Sequence, residues 1–147
     1  MAKKRSKKKA EQFVLDCSVT MAWYFKDEAN VYAKSVRRSL SGVTAVVPGL
    51  WPLEVANILV LAERRQRSTE VEASKWLRYL QMLPIAVDDE TAARACSSIL
   101  YIARSYDLSV YDASYLELAI RLGLPLATLD DQLKATAALA GVAEFKP

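Results

Sequence analysis

The feature that most constrains the fold is the alternation of short apolar segments with longer segments of helical periodicity. The short segments predict buried strands at residues 12–16, 44–47, 85–87 and 125–129, with a possible edge strand at 142–145. The longer segments predict helices at residues 19–25, 28–40, 50–67, 69–82, 88–105, 111–122 and 130–139, and Asp27 is the predicted cap of the second. This alternation predicts an α/β fold, a three-layer α/β/α sandwich around a short-stranded parallel sheet.

Charge divides the chain into a tail and a body. Residues 1–11 hold six basic residues and one acid, a net charge of +5 (6 − 1), whereas residues 12–147 hold 14 basic and 16 acidic residues, a net charge of −2 (14 − 16). We predict a basic, disordered tail at 1–11 and one domain at 12–147. The tail is either a solubilising arm or an arm that screens the phosphates of a nucleic acid.

Composition excludes several kinds of catalytic site. The chain has no histidine, and its two cysteines, Cys17 and Cys96, form no CxxC pair. A Cys/His zinc site, a Ser-His-Asp triad and a Cys-His dyad are therefore excluded. The chain shows neither a secretory signal nor a membrane span, so we expect a cytoplasmic protein with reduced, buried thiols. Catalysis would depend on carboxylates, hydroxyl groups and bound ions.

Acidic residues end three of the predicted strands. Asp16 is the last residue of the first predicted strand, Asp88 and Asp130 directly follow the third and fourth, and a predicted helix comes next in each case. The carboxyl ends of strands are where open α/β sheets bind ligands. Aspartate is also a favoured helix N-cap, so each of the three has a purely structural explanation.

Two further acids lie on predicted helices. The first is Glu54, in the helix predicted at 50–67. The first part of this helix is apolar apart from Glu54 and Asn57, so we expect it to be buried. The two polar side chains are three residues apart and share one face. A carboxylate in such surroundings must be paired or hold a cation. Asp112 lies in the first turn of a helix, where the dipole also favours an acid. We expect the nearby Tyr111 and Tyr115 to be packing residues.

Carboxylates that converge from separate elements need cations between them. Oxygen ligands without histidine or cysteine select Mg²⁺ or Mn²⁺. Such an ion can activate water and stabilise the leaving oxygen of a phosphodiester.

Four motifs together resemble a PIN domain, and specifically the toxin ribonuclease of a VapBC-type toxin–antitoxin pair. They lie at residues 14–18 (VLDCS), 52–57 (PLEVAN), 109–113 (SVYDA) and 126–130 (LATLD). The resemblance covers residues 12 to about 145. It implies the PIN-like form of the α/β/α sandwich.

The resemblance also implies roles for particular residues. It gives catalytic, metal-binding roles to four acids, namely Asp16, Glu54, Asp112 and Asp130. It gives positioning roles to Ser18, Asn57 and Thr128. It makes Asp88 and Asp89 part of a helix start outside the site. Asp131 is a neighbour that could take the role given to Asp130.

The family implies partners as well. These are an RNA substrate, often transfer or ribosomal RNA, a second copy of the chain in a homodimer, and a small antitoxin protein. Arg64, Arg65 and Arg67 are candidates for RNA binding, or simply a solvated helix end that complements the helix dipole.

Three other protein classes compete with this hypothesis. A catalytically silent PIN fold would serve as an interaction module. A receiver-type signalling domain would need an acid pair after the first strand and a late lysine, and both are missing. A haloacid-dehalogenase-type phosphatase would need a second aspartate at position 18, which is Ser18.

Overall fold

The strands predicted from the sequence form one parallel sheet. A computed structural model describes residues 11–147, so the predicted tail lies outside the described residues, apart from Glu11. The strands are Gln12–Leu15 (β1), Thr44–Val47 (β2), Ile85–Val87 (β3) and Leu126–Ala127 (β4). Their order is β3-β2-β1-β4, and every pair is parallel.

Helices connect and flank the strands. They are Cys17–Tyr24 (α1), Val31–Ser39 (α2), Trp51–Arg64 (α3), Glu70–Leu80 (α4), Thr91–Arg94 (α5), Leu100–Tyr106 (α6), Val110–Leu122 (α7) and Asp131–Leu139 (α8). A 3₁₀ turn at Lys26–Glu28 follows α1, and a π-helical turn at Ala95–Ile99 joins α5 to α6. Within residues 11–147, no helix is long and apolar enough to cross a membrane.

The sheet brings the segments that follow β1 and β4 together. β1 is a central strand whose Phe13, Val14 and Leu15 have no solvent exposure. Because the strands are parallel, their carboxyl ends lie at one edge of the sheet. The residues after β1 and after β4 therefore meet there, and α7 packs against both strands.

The last two predicted strands are shorter than expected. β4 ends at Ala127, because Thr128 and Leu129 leave the sheet to form hydrogen bonds with the segment after β1. The predicted edge strand at 142–145 is reduced to a single parallel bridge between Leu126 and Glu144.

Two predicted helix starts also require correction. Asn30, and not Asp27, caps α2, because the Asn30 side chain accepts a hydrogen bond from Ala33 N–H. The helix predicted at 88–105 begins only at Thr91. Cys96 in this segment is exposed, contrary to expectation, whereas Cys17 is buried.

Helix α3 is not buried on all sides as its apolar sequence suggested. Its buried residues are Trp51, Val55, Leu59 and Ala62, whereas Leu53 is 73% exposed. A helix in the outer layer of a sandwich contacts its neighbours on one side only, so the opposite apolar face meets solvent. An exposed apolar face of this kind can mark an interaction surface.

The acids around Asp88 are neutralised by arginine. Arg121 lies 2.7 Å from Asp88, 3.0 Å from Glu90 and 2.8 Å from Glu117. Its side chain is 14% exposed, and those of Asp88 and Glu117 are 10% and 5% exposed. This network fastens α7 to the segment after β3. Asp88 is therefore an ion-pair partner, and its oxygen also accepts a hydrogen bond from Glu90 N–H.

We expect Arg121→Ala to lower the free energy of unfolding by roughly 3 kcal/mol, because it leaves buried carboxylates without this cation. Urea unfolding monitored by circular dichroism measures the loss. Arg104→Ala is the control, since Arg104 is exposed and has no ion pair within residues 11–147. Equal losses in the two variants would contradict the assigned role of the network.

Candidate functional site

Asp16 is a buried carboxylate at the carboxyl end of β1. It is 6% exposed, and its Oδ2 accepts hydrogen bonds from Ser18 Oγ at 2.5 Å and from Thr128 Oγ1 at 2.8 Å. It occupies the N-cap position of α1 without forming a side-chain capping bond. Burial raises the pKa of Asp16, and the nearby Asp130 charge raises it further, against the two hydroxyl hydrogen bonds.

The two hydroxyl groups join Asp16 to the turn between β4 and α8. Leu129 N–H donates to Ser18 Oγ at 3.0 Å, and Asp130 N–H donates to Thr128 Oγ1 at 3.0 Å. Each hydroxyl thus accepts from the backbone and uses its single proton for the Asp16 carboxylate. The network fixes the position of one oxygen of Asp16.

Glu54 enters the site from the first turn of α3. The start of this helix is held against α1 by Trp51, whose Nε1 donates to Thr20 Oγ1 at 3.1 Å. Tyr115 Oη donates to Glu54 Oε1 at 2.5 Å. Burial raises the pKa of Glu54, and so do the Asp16 and Asp112 charges, whereas the tyrosine hydrogen bond opposes the rise.

Asp112 enters from the first turn of α7. Ser109 caps this helix, and its Oγ accepts from Asp112 N–H at 3.0 Å. Tyr115 follows one turn later, so the same helix supplies an acid and the partner of Glu54. Burial raises the pKa of Asp112, as do the charges of Asp16 and Asp130.

Asp130 caps α8 and also belongs to this group of charges. Its Oδ1 accepts from Leu133 N–H at 2.9 Å. Its charge raises the pKa of both Asp16 and Asp112. Asp131 is exposed in the first turn of α8 and perturbs neither of these carboxyls.

Asp16, Glu54, Asp112 and Asp130, hereafter the acid cluster, interact without a cation. No lysine or arginine is among the described residues that shift the pKa of Asp16, Glu54 or Asp112. Within residues 11–147, three carboxylates come within 4.8 Å of one another only at Asp88, Asp89 and Glu90. Asp88 and Glu90 of that tighter group pair with Arg121, whereas no ion pair within residues 11–147 involves a member of the wider acid cluster.

The other predicted site residues differ in their surroundings. Asn57 is exposed on α3, three residues after Glu54, and Arg64 and Arg65 are exposed where that helix ends. Arg67 already has partners, since its guanidinium pairs with Asp27 at 2.9 Å and with Glu28 at 3.0 Å. It also lies 3.9 Å from the centre of the Phe25 ring.

Tyr115 is the site residue that the sequence analysis missed. It was predicted to pack, and it is fully buried, but its hydroxyl also holds Glu54. Its spacing of three residues from Asp112 was the available signal. Tyr111, predicted to pack as well, is instead 68% exposed.

Comparisons with known proteins agree with this architecture. The family model for the PIN domain matches residues 13–139. Ribonuclease VapC3 from Pyrobaculum aerophilum is 31% identical over 122 residues, which cover 83% of this chain and 92% of the relative.

Two crystal structures share the fold. PAE2754 from Pyrobaculum aerophilum has a TM-score of 0.60 at 23% identity, over 86% of this chain and 85% of that one. VapC20 from Mycobacterium tuberculosis, described as a sarcin-ricin loop cleaving toxin, has a TM-score of 0.62 at 15% identity, over 92% of this chain and 99% of that one. From its sequence and its fold, the chain belongs to the PIN domain family.

Proposed function

We propose that this chain is a Mg²⁺- or Mn²⁺-dependent endoribonuclease that hydrolyses RNA phosphodiester bonds at the acid cluster. The observation that carries the proposal is the burial of Asp16 among other acids, which no basic side chain of residues 11–147 neutralises. An uncompensated buried carboxylate is costly, and the cost falls when a cation binds. The family relationship makes a nuclease the natural interpretation of such a cluster.

The donor atoms of the cluster fit a hard divalent cation. All are carboxylate oxygens, which suit Mg²⁺ and Mn²⁺ rather than softer metals. Both hydroxyl bonds of Asp16 go to Oδ2, and the capping bond of Asp130 goes to Oδ1. Within residues 11–147, no side-chain hydrogen bond engages Asp16 Oδ1 or Asp130 Oδ2, so we assign these two oxygens as metal ligands. A cation bound by the acid cluster supplies water activation and neutralises charge on the phosphate.

The neighbouring side chains hold the acids in place. Ser18 and Thr128 orient Asp16, and Tyr115 orients Glu54, through the hydrogen bonds described above. Partners of this kind keep ligand oxygens in the geometry that a metal requires. Asn57 is exposed beside Glu54, so we assign it to contact with the RNA.

RNA is the proposed substrate, and the descriptions of two similar proteins support this choice. The 31% identical VapC3 is named a ribonuclease, and VapC20 is described as a toxin that cleaves the sarcin-ricin loop. We therefore propose a structured transfer or ribosomal RNA as the target of this chain. We also propose that it is the toxin of a cytoplasmic toxin–antitoxin pair, in which a small antitoxin protein blocks the site.

We propose that two copies of the chain form a homodimer through the exposed apolar surface of α3, α4 and β3. A hollow of about 350 Å³ lies between these elements, with Trp51 and Leu80 among its lining residues. Leu53, Met82 and Val87 are 73%, 83% and 50% exposed. Burial of such a surface against a second copy would stabilise the pair.

We expect Asp16→Asn to reduce RNA cleavage at least roughly 100-fold, because it removes one ligand charge from the cation site. The assay uses total RNA with Mg²⁺ or Mn²⁺, beside an EDTA control. Asp131→Asn is the matched control, since this neighbouring acid is exposed and should be dispensable.

Persistent cleavage by Asp16→Asn, or loss of cleavage in Asp131→Asn, would overturn the site assignment. Absence of cleavage by the wild type in either metal would favour the catalytically silent interaction module. The receiver and phosphatase hypotheses are already excluded by membership of the PIN domain family.

The acid cluster also predicts how metal binding depends on pH. Folding raises the pKa values of Asp16, Glu54 and Asp112. In the metal-free protein, their contribution to stability is present below the ordinary carboxyl pKa of about 4 and is lost as pH rises through the raised values. Cations bind the deprotonated form, so the Tm increase caused by Mn²⁺ should grow with pH over that range.

Differential scanning fluorimetry between about pH 4 and pH 8, with and without Mn²⁺, measures this effect. Asp16→Asn should raise the Tm of the metal-free protein at neutral pH and remove most of the Mn²⁺ effect. A Tm increase that is independent of pH would show that Mn²⁺ binds elsewhere.

We expect Tyr115→Phe to weaken Mn²⁺ binding roughly 10- to 100-fold, because Glu54 loses its hydrogen-bond partner while the core keeps its ring. Isothermal titration calorimetry measures the affinity. Tyr111→Phe removes an exposed hydroxyl from the same helix and serves as control. Similar affinities in both variants would mean that Tyr115 only packs.

A further inference from the structure

We infer that a cationic face formed by Lys26, Lys34, Arg37 and Arg38 binds the sugar-phosphate backbone of the RNA strand that extends from the acid cluster. The inference rests on the proposed ribonuclease function and deepens it. It assigns RNA binding to α2 and the preceding turn, and not to Arg67.

The cationic face is a set of free charges around one hollow. Lys26 lies in the 3₁₀ turn, and the other three residues lie on α2, where positions 34, 37 and 38 share one side of the helix. All four are exposed and line a hollow of about 500 Å³. None forms an ion pair with a carboxylate within residues 11–147. Arg37 donates to the neutral Tyr79 hydroxyl at 3.1 Å, which holds it in place without neutralising it.

The concentration of positive charge differs from the character of the whole domain. Residues 11–147 contain 14 basic and 17 acidic residues, a net charge of −3 (14 − 17). The two acids nearest in sequence, Asp27 and Glu28, are engaged by Arg67. The helix dipole accounts for the arginines in the last turn of α2 and for Lys26 just after the end of α1, but not for Lys34. Charge of one sign gathered on an acidic body indicates an anionic partner.

The cationic face is continuous with the acid cluster. Ala22 and Phe25 line the cationic hollow, and they also line a second hollow of about 400 Å³ that reaches Ser18 and Leu129. Ser18 contacts Asp16 directly. Helix α1 spans the distance between the cationic face and the acid cluster, and its eight residues correspond to a length of about 12 Å. This length matches roughly three or four stacked nucleotides of one strand.

The chemistry of the face favours phosphate over bases. Lysine and arginine neutralise phosphates and release their counterions, which gives affinity without sequence preference. The second hollow is lined by apolar residues, including Met21 and Ile58, and by the Glu28–Arg67 ion pair, in which the arginine charge is already compensated. Its apolar part could receive an unstacked base. The cationic face would therefore position the strand, while other contacts would select the cleavage site.

The test compares two double variants that lose the same charge. K34Q/R38Q removes two cations from the face, and K75Q/R78Q removes two exposed cations from α4. Both are made in the full-length Asp16→Asn protein, so that RNA is not cut. Binding of a fluorescein-labelled single-stranded 12-nucleotide RNA is measured by anisotropy at several salt concentrations.

We expect K34Q/R38Q to weaken RNA binding at least roughly tenfold and to reduce the slope of log K against log salt by about 1.4 for two lost phosphate contacts. K75Q/R78Q should change affinity less than about twofold. Thermal melts should show both variants folded, since all four side chains are exposed.

Equal losses in the two variants would overturn the inference, because net charge alone would then explain binding. Unchanged binding in K34Q/R38Q would also overturn it and would leave an acidic protein segment as the occupant of this face. The binding assay needs no catalysis. A failure of the proposed nuclease would therefore be seen separately, as absence of metal-dependent cleavage by the wild type.

Discussion

The organisation of the site depends on the hydrogen-bonded carboxylate of Asp16. Ser18 and Thr128, 110 residues apart in the sequence, both donate to the same oxygen of this side chain. The parallel pairing of β1 with β4 brings the two hydroxyl groups together. A change in the register of that pairing would misplace Thr128 and the Leu129 N–H that donates to Ser18, and would leave the buried carboxylate with one donor fewer, which is costly. The register of β1 against β4 therefore determines the geometry of the site.

The protein deals with its buried acids in two different ways. Near β3, Arg121 provides three short ion pairs, to Asp88, Glu90 and Glu117. Near β1 and β4, the acids are oriented by hydroxyl groups and a tyrosine, which position them without cancelling their charge. The first arrangement stabilises the fold, because each of these three acids has a cationic partner. The second leaves the carboxylates without an internal counter-charge, and this is the property on which the proposed metal-dependent activity rests.

The strand pattern and the parallel sheet could be predicted from sequence because short apolar segments alternate regularly with helices. The motif resemblance likewise identified the family correctly. The side chain that caps a helix was harder to predict, because neighbouring polar residues compete for that position. Asp27 pairs with Arg67 instead of capping α2, and Asn30 takes the cap. The burial of one face of α3 was also unpredictable, because an apolar helix does not reveal which neighbours cover it. Tyr115 combines packing with a hydrogen bond, and only three-dimensional contact distinguishes the two roles.

The double use of Asp130 limits what its position can contain. One oxygen of its carboxylate accepts from Leu133 N–H to begin α8, while the charge of the same group acts on Asp16 and Asp112. Asparagine could begin the helix but brings no negative charge. Glutamate brings the charge, but its longer side chain is a poor N-cap. Aspartate satisfies both demands at once, so most substitutions at this position would lose either the helix cap or the negative charge.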